Sequence, residues 1–281
     1  MFNISNSLYN QFNAVYPNKA GLIRLHRING LDIPFSPLWK NIGINLSGGA
    51  DSGCLAFLLC KIITEHNYDC KIHIITFTRC WNTRPWQGHI SMNVFNKLNE
   101  MYPGLIVNRH INYIPPELEW GATGGPILDG RSGDQIEGSS FNSYIAYTQK
   151  LNAVFNATSK NPGTDGFDTR LLKRDKDAED GSLDDVMFIR KGTFFCHPFR
   201  FVKKDWIVAQ YFIHNAEDLY NTTRSCEGDI NDGKAKEILP NGLDDYKPGM
   251  FIPLCGACFW CLERSWAESK LDETITQFDH V

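Results

Sequence analysis

Residues 42–66 read IGINLSGGADSGCLAFLLCKIITEH, and this stretch decides the fold class. Residues 42–46 are a short apolar run, which predicts a buried strand. Residues 52–66 have helical length and a mostly apolar face, which predicts a helix. The string SGGADS at 47–52 lies between them. The predicted order is therefore strand, glycine-rich turn, helix.

The same alternation continues along the chain. Further strands are predicted over 72–78, 105–111 and 153–157, and further helices over 90–102, 139–151 and 203–215. Around Asn29-Gly30 the sequence predicts one or two short strands, and the glycines and prolines of 115–138 predict a long loop. Strands alternating with helices predict an α/β fold, with a mainly parallel twisted sheet flanked by helices.

Composition excludes several classes of protein. The chain has 281 residues and a formal net charge of −4, which excludes a generally basic nucleic-acid coat. No apolar run reaches the roughly 18–20 residues of a membrane span. The N-terminus lacks a basic region followed by an apolar run, so no targeting segment is predicted. We therefore expect a cytoplasmic protein without a membrane partner.

The SGGADS loop, residues 47–52, has the residue types of an anion cradle. Gly48 and Gly49 allow a sharp turn and a close approach of the backbone to a ligand. The helix that follows points its free N–H groups and its positive end back at the loop, and two serines add hydroxyl donors. The loop differs from the G-x-x-x-x-G-K-[ST] phosphate loop and from the G-x-G-x-x-G turn. The alternative is a glycine-rich helix start that binds no ligand.

The nine cysteines are unevenly placed, and an odd number argues against a fully disulfide-paired framework. Cys255, Cys258 and Cys261 have the spacing C-x2-C-x2-C, and Cys226 lies upstream. Four thiolates can close a tetrahedral Zn²⁺ site, and an iron–sulfur cluster is the rival. The alternative is a set of buried free thiols. For the other five cysteines, burial is the simplest account.

The SGGADS loop resembles the pyrophosphate loop of the N-type ATP pyrophosphatases, the PP-loop superfamily. The resemblance implies that ATP is cleaved between its α and β phosphates with Mg²⁺, so that an oxygen is activated as its adenylate. It implies catalytic roles for Ser47, Asp51 and Ser52. It implies nucleotide-binding roles for Ser47, Gly48, Gly49, Ala50, Asp51 and Ser52, and for Thr76, Phe77 and Thr78 at the end of the second strand of the sheet.

The string TTRSC at 222–226, followed by CGACFWCLER at 255–264, resembles the zinc motif of the 7-cyano-7-deazaguanine synthases, a QueC-like family. Arg264 falls at the place of the family's arginine, and Pro198 with Lys203 or Lys204 matches the preceding Pro and Lys-initiated helix. The resemblance implies a zinc site formed by Cys226, Cys255, Cys258 and Cys261. Placed on the chain, these motifs predict an ATP-binding α/β domain over 41–215 and a helical zinc-binding region over 216–281. The chain departs from the family pattern by an N-terminal extension over 1–40 and by insertions near 115–138 and 160–191.

The family activity would convert 7-carboxy-7-deazaguanine to the nitrile with ammonia and ATP. The implied partners are a small deazapurine substrate, ammonia and a second copy in a homodimer, and the charge of −4 disfavours nucleic acid. Two alternatives stay open: another PP-loop enzyme that thiolates or amidates tRNA, and a QueC-like protein repurposed to modify or bind a partner protein. The insertions at 1–40, 115–138 and 227–254 could form a docking surface, which keeps the second of these alternatives open.

Residues outside the two motifs give weaker signals. The base of the substrate could stack on an aromatic ring, although aromatic residues are more often core. The candidates are Trp81, Trp86, Trp120 and Phe199. Arg79 and Arg84 could meet a carboxylate or a phosphate, although solvated surface positions are the simpler account. The charge-rich stretch 165–191 predicts a solvated segment or, alternatively, a mobile lid.

Overall fold

The structure is a computed structural model that describes residues 22–79, 86–118, 127–128, 131–160, 186–226 and 252–278, and the single positions 14, 162, 237, 240, 241, 245, 247 and 250. The strands are β1 (Arg24–Ile28), β2 (Leu31–Phe35), β3 (Asn41–Asn45), β4 (Lys71–Thr78), β5 (Ile106–Tyr113), β6 (Ile127–Leu128), β7 (Arg131–Ser132), β8 (Ala153–Phe155), β9 (Met187–Arg190) and β10 (Thr193–Cys196). The helices are α1 (Ala50–Glu65), α2 (Gln87–Met101), α3 (Gly133–Thr148), α4 (Lys204–Ile213), α5 (Glu217–Thr222), α6 (Phe259–Ser269) and α7 (Leu271–Thr276), and a 3₁₀ turn spans Pro116–Leu118.

The central sheet has six strands in the order β5-β4-β3-β8-β10-β9. Neighbouring strands from β5 to β10 run parallel, and β9 pairs antiparallel with β10 at the edge. The protein therefore has the predicted α/β fold, with a mainly parallel sheet flanked by helices.

The strand order places a crevice beside β3. The chain runs outward from β3 to β4 and β5 and then returns to the other side of β3 as β8. Connections on opposite sides of a sheet leave the carboxyl ends of the two central strands open, and open α/β sheets bind ligands at such a point. The SGGADS loop follows β3 directly, so it lies at this crevice.

Both faces of the sheet are covered because the strands are apolar on both sides. Ile42 and Ile44 of β3 belong to the main core, which also contains most of the buried side of α1. On the opposite face, Ile75 of β4 shares a smaller core with Ile145 of α3. Gly43 permits this packing, since a Cβ there would lie 2.8 Å from Leu151 Cδ1.

The predicted short strands around Asn29-Gly30 are the hairpin β1–β2. Asn29 has φ +43° and Gly30 has φ +83°, so both take the left-handed conformation that two-residue hairpin turns favour. The turn is anchored on α4, since Asn29 Nδ2 donates to Gln210 Oε1 at 2.7 Å and Trp206 Nε1 donates to the Asn29 carbonyl at 3.0 Å. Part of the sequence before residue 40 is therefore joined to the α/β body.

The structure corrects the prediction of a loop over 115–138. Helix α3 begins at Gly133, six residues before the predicted start, and β6 and β7 lie just before it. Glycine is needed there for packing and not for a turn, because a Cβ at Gly133 would lie 2.9 Å from the Leu118 carbonyl oxygen. Strand β9 at the edge of the sheet and its neighbour β10 were also not predicted. Among the described residues, no helix has the length and apolarity needed to cross a membrane.

Candidate functional site

The SGGADS loop is pressed against α2. Gly48 has φ +84°, and a Cβ at this position would lie 2.5 Å from Ile90 Cγ2 and 2.7 Å from the Ser91 backbone nitrogen. Both the backbone conformation and the available space therefore require glycine at position 48.

Hydroxyl groups fix the turn of the loop from inside. The Ser47 and Ser52 Oγ atoms lie 3.0 Å apart, Ser52 Oγ donates to the Gly49 carbonyl at 3.1 Å, and the Gly49 amide donates to Ser47 Oγ at 3.3 Å. Gly49 is the N-cap of α1 and has no side chain to accept from the first amides of the helix. The positive end of α1 therefore faces the concave side of the loop, which suits an anion.

Replacing Gly48 with alanine should destabilise the protein by roughly 3 kcal/mol or more, because left-handed strain and a backbone clash add together. The matched control is Gly30→Ala, which has a similar φ of +83° but no atom within 4 Å of the added Cβ. That variant should lose only about 1 kcal/mol. Urea unfolding midpoints measure both, and equal losses would show that the contact with α2 does not require glycine.

Asp51 takes part in a buried charge cluster. Lys204 Nζ lies 2.5 Å from Asp51 Oδ1 and 3.3 Å from Glu263 Oε2, and Ser159 Oγ donates to Asp51 Oδ2 at 3.1 Å. The Lys204 side chain is 1% exposed and that of Glu263 is 0% exposed. Burial alone lowers the pKa of Lys204, but the carboxylates of Asp51 and Glu263 outweigh it and raise that pKa, so the amine stays charged.

Two members of this cluster were not identified from the sequence. Lys204 was named there as one of two matches to a family lysine, whereas Ser159 and Glu263 were given no role. Glu263 lies two residues after Cys261 in the sequence. Its closeness in sequence to two predicted metal ligands, Cys258 and Cys261, was the available signal.

The three residues predicted to contact the adenine have different environments. Thr76 is fully buried, and its hydroxyl donates to the Leu46 carbonyl at 3.0 Å. Phe77 packs edge-on against Phe141 of α3. Thr78, at the carboxyl end of β4, is 5% exposed, and its hydroxyl has no hydrogen-bond partner among the described residues. Of the three, Thr78 has spare hydrogen-bonding capacity, and the role of the group stays a prediction.

The four predicted metal ligands converge. One Sγ atom from each of Cys226, Cys255, Cys258 and Cys261 lies within 4.8 Å of the other three. The Sγ atoms of Cys255 and Cys261 are 3.8 Å apart, and so are those of Cys226 and Cys258. Four thiolates about 2.3 Å from one Zn²⁺ ion would lie about 3.8 Å apart at the corners of a tetrahedron. The donor set therefore fits a metal ion.

Backbone amides support negative charge on these sulfurs. Cys255 Sγ accepts from the amides of Ala257 and Cys258 at 3.5 and 3.3 Å, and Cys226 Sγ accepts from the Cys255 amide at 3.4 Å. Gly256 has φ +73°, which lets the chain turn between two of the ligands. Amide dipoles aimed at sulfur favour the thiolate, which is the form that binds metals.

Arg224 holds the chain around the cysteines. Its guanidinium donates to the carbonyl oxygens of Cys226, Ile252 and Pro253 at 2.9, 2.7 and 2.9 Å. Burial lowers the pKa of Arg224 below its usual value, and the nearby cysteine sulfurs offset only part of that shift. The arginine thus joins the segment of Cys226 to the segment that leads into Cys255.

The segment before Cys226 also touches the SGGADS loop. The Arg224 amide donates to the Gly48 carbonyl at 2.8 Å, and the Ala50 amide donates to Ser225 Oγ at 3.2 Å. A Cβ at Gly49 would lie 2.8 Å from Ser225 Oγ. The two motifs, which are far apart in sequence, are therefore neighbours in one site.

The aromatic and arginine candidates outside the two motifs lie in the core or in an ion pair wherever the structure describes them. Trp86 and Phe199 are buried, which confirms the core interpretation for both. Arg79 Nε lies 2.7 Å from Asp134 Oδ2, so this arginine forms a partly buried ion pair instead of a solvated surface position. Trp81, Arg84, Trp120 and residues 165–185 lie outside the described residues.

The cysteines outside the four-cysteine group are buried wherever they are described. Cys54, Cys60, Cys70 and Cys196 are free and buried, as expected, and Cys80 lies outside the described residues. Burial raises the pKa of Cys70 to about 12. These thiols are packing residues.

No family model and no curated protein sequence matches the chain. Among solved structures, the chain is similar to a U34-tRNA thiolase, NcsA, from Methanococcus maripaludis, which was solved with its 4Fe-4S cluster. The identity is 12%, the TM-score is 0.40, and the match covers 86% of this chain and 72% of that one. At this identity and TM-score the similarity concerns only the fold of the backbone.

Proposed function

We propose that the protein is an ATP-dependent carbon–nitrogen ligase that adenylates a carboxylate, and that its substrate is 7-carboxy-7-deazaguanine. The observation that carries the proposal is the SGGADS loop at the crevice between β3 and β8, in contact with the Ser-Cys segment of the second motif. The loop that resembles the PP-loop superfamily and the motif that resembles the deazaguanine synthases are thus neighbours in the structure.

The chain's own residues would act on the phosphates of ATP. The loop amides and the positive end of α1 would hold the β and γ phosphates, and the serine hydroxyls of the loop would add donors. Asp51 would be the carboxylate that binds Mg²⁺, which would neutralise charge on the leaving pyrophosphate. Contacts of Lys204 Nζ with Oδ1 and of Ser159 Oγ with Oδ2 hold the Asp51 carboxylate in one orientation.

The proposed reaction has two activations. The substrate carboxylate attacks the α phosphorus, pyrophosphate leaves, and ammonia then displaces AMP to give the amide. The amide oxygen attacks a second ATP, pyrophosphate leaves again, and loss of AMP with two protons from nitrogen gives the nitrile. Each activation converts a poor oxygen leaving group into a phosphate leaving group.

We propose Zn²⁺ for the group formed by Cys226, Cys255, Cys258 and Cys261. The Sγ separations of 3.8 Å suit four ligands on one ion. An iron–sulfur cluster distributes its cysteine ligands over several irons, so its ligands stand farther apart. Four protein thiolates fill a tetrahedral zinc site, which gives the ion a structural role and leaves no position for substrate.

The test is incubation of the full chain with Mg·ATP, ammonia and 7-carboxy-7-deazaguanine, followed by mass spectrometry of the products. We expect the nitrile, AMP and pyrophosphate, with two AMP per nitrile. A parallel arm supplies tRNA and a sulfur donor in place of the deazapurine. Absence of nitrile and AMP in the first arm would contradict the proposal, and AMP with thiolated tRNA in the second would replace it with the alternative.

A further inference from the structure

Glu263 links the cysteine group to the buried lysine. It lies on α6, which begins one residue after Cys258 and carries Cys261. Its side chain is fully buried and lies 3.3 Å from Lys204 Nζ. Burying a carboxylate is costly unless a cation balances it, so the position of α6 is coupled to that of Lys204.

Lys204 passes this coupling on to the SGGADS loop. One ammonium is shared by two carboxylates, with Asp51 Oδ1 at 2.5 Å and Glu263 Oε2 at 3.3 Å. Because both carboxylates pair with the same ammonium, the strength of the Lys204–Asp51 ion pair depends on Glu263. Weakening one contact strengthens the other.

A second route runs through the residues before Cys226. The Arg224 amide binds the Gly48 carbonyl, and Ser225 Oγ accepts from the Ala50 amide. Ser225 is the immediate neighbour of the first cysteine. The loop is therefore held on one side by Lys204, whose partner Glu263 lies two positions from Cys261, and on the other side by the residues just before Cys226.

We propose that the four-cysteine group sets the geometry of the SGGADS loop, with Glu263 and Lys204 as positioning residues that keep Asp51 available for the Mg²⁺ of the nucleotide. The part that concerns nucleotide rests on the proposed function. The part that concerns the order of the loop does not, because it follows from protein contacts alone.

The first test is Glu263→Gln, which keeps the shape and removes the charge. In this variant Asp51 is the carboxylate that balances the charge of Lys204, so Lys204 competes more strongly with Mg²⁺ for Asp51. With α,β-methylene-ATP as the probe, the Mg²⁺ concentration for half-saturation should rise about tenfold, within the usual range of coupling between sites. The matched control is Glu273→Gln on α7, whose 65%-exposed side chain pairs with Lys270, and it should leave that concentration unchanged.

The second test is hydrogen exchange with and without metal. Removing the metal with a chelator should raise exchange at residues 47–53 and 204–211 at least tenfold, whereas the hairpin at 24–35 should change little. In metal-free protein, Glu263→Gln should have no further effect on the Mg²⁺ requirement. If metal removal unfolds the whole chain, the comparison is made instead between the metal-loaded Glu263→Gln variant and the metal-loaded wild type. With one metal bound per chain, the amides of residues 47–53 should exchange faster in the variant than in the wild type.

Unchanged exchange at 47–53 would overturn the proposal, and so would a Glu263→Gln variant with the wild-type Mg²⁺ requirement. If the wild-type chain binds no nucleotide, the proposed function fails, and the exchange measurement still decides whether the cysteine group orders the loop. The two failures are therefore distinguishable.

Discussion

Replacing Asp51 with asparagine should abolish ATP turnover while leaving the fold intact. Asparagine keeps the size of the side chain but removes the charge that would bind Mg²⁺, so AMP formation should fall by at least about 100-fold. Lys204 retains Glu263 as a partner, so the buried ammonium is not left without a carboxylate. The loss of stability should therefore stay below the roughly 3–5 kcal/mol of a broken buried pair. AMP release and urea unfolding measure the two effects.

The control for this variant is Asp69→Asn. Asp69 is 82% exposed and pairs with Lys40 at 2.7 Å on the surface, so the same chemical change is made outside the site. AMP formation in that variant should match the wild type. If Asp51→Asn keeps turnover within tenfold of the wild type, Asp51 does not hold the metal of the nucleotide and the assignment of the loop is wrong.

The central unit of the fold was predictable because several local signals agree there. The predicted strand at 42–46 and helix at 52–66 correspond to β3 (Asn41–Asn45) and α1 (Ala50–Glu65). An apolar strand, a glycine turn and an apolar helix follow one another, so the glycine turn marks both the end of the strand and the start of the helix. The hairpin at Asn29-Gly30 was predictable for a similar reason, since Asn and Gly are the residue types that best tolerate the left-handed backbone of a two-residue turn.

The parts that were not predicted depend on contacts distant in sequence. Gly133, the first residue of α3, is glycine because the backbone of Leu118 lies against it, whereas a glycine in sequence alone indicates a loop. Strands β9 and β10 are short, and β9 lies within the charge-rich stretch 165–191, whose charged residues mask its apolar pattern.

The candidate site shows the same division. Regular spacing marked three of the cysteines, and the structure groups all four. The pair of Lys204 and Asp51 spans 153 positions, and neither residue belongs to a periodic pattern that would reveal the contact. Ser159 lies 108 positions from Asp51. Only the return of the chain to β8 brings Ser159 beside the loop, and that crossing is a property of the sheet order.

Replacing Cys258 with serine should release the metal and destabilise the protein. A structural metal binds the folded state and not the unfolded chain, so its binding free energy adds to the free energy of unfolding. Cys258 is also the N-cap of α6, the helix that carries Glu263 and Cys261. We expect a loss of roughly 3–5 kcal/mol and a fall in melting temperature of about 10 °C. Metal analysis and calorimetry measure the two effects on the same sample.

The control for Cys258→Ser is Cys70→Ser, which alters a buried thiol outside the four-cysteine group. It should cost only about 1 kcal/mol and keep one metal per chain, because the change affects packing and not ligation. The wild-type protein should be colourless, since Zn²⁺ has no redox or d-electron transitions, whereas a brown protein would show an iron–sulfur cluster. A Cys258→Ser variant that keeps the wild-type melting temperature and a full metal content would show that the metal is not held by these four thiolates, because a tetrahedral site cannot lose one of four thiolates without losing affinity.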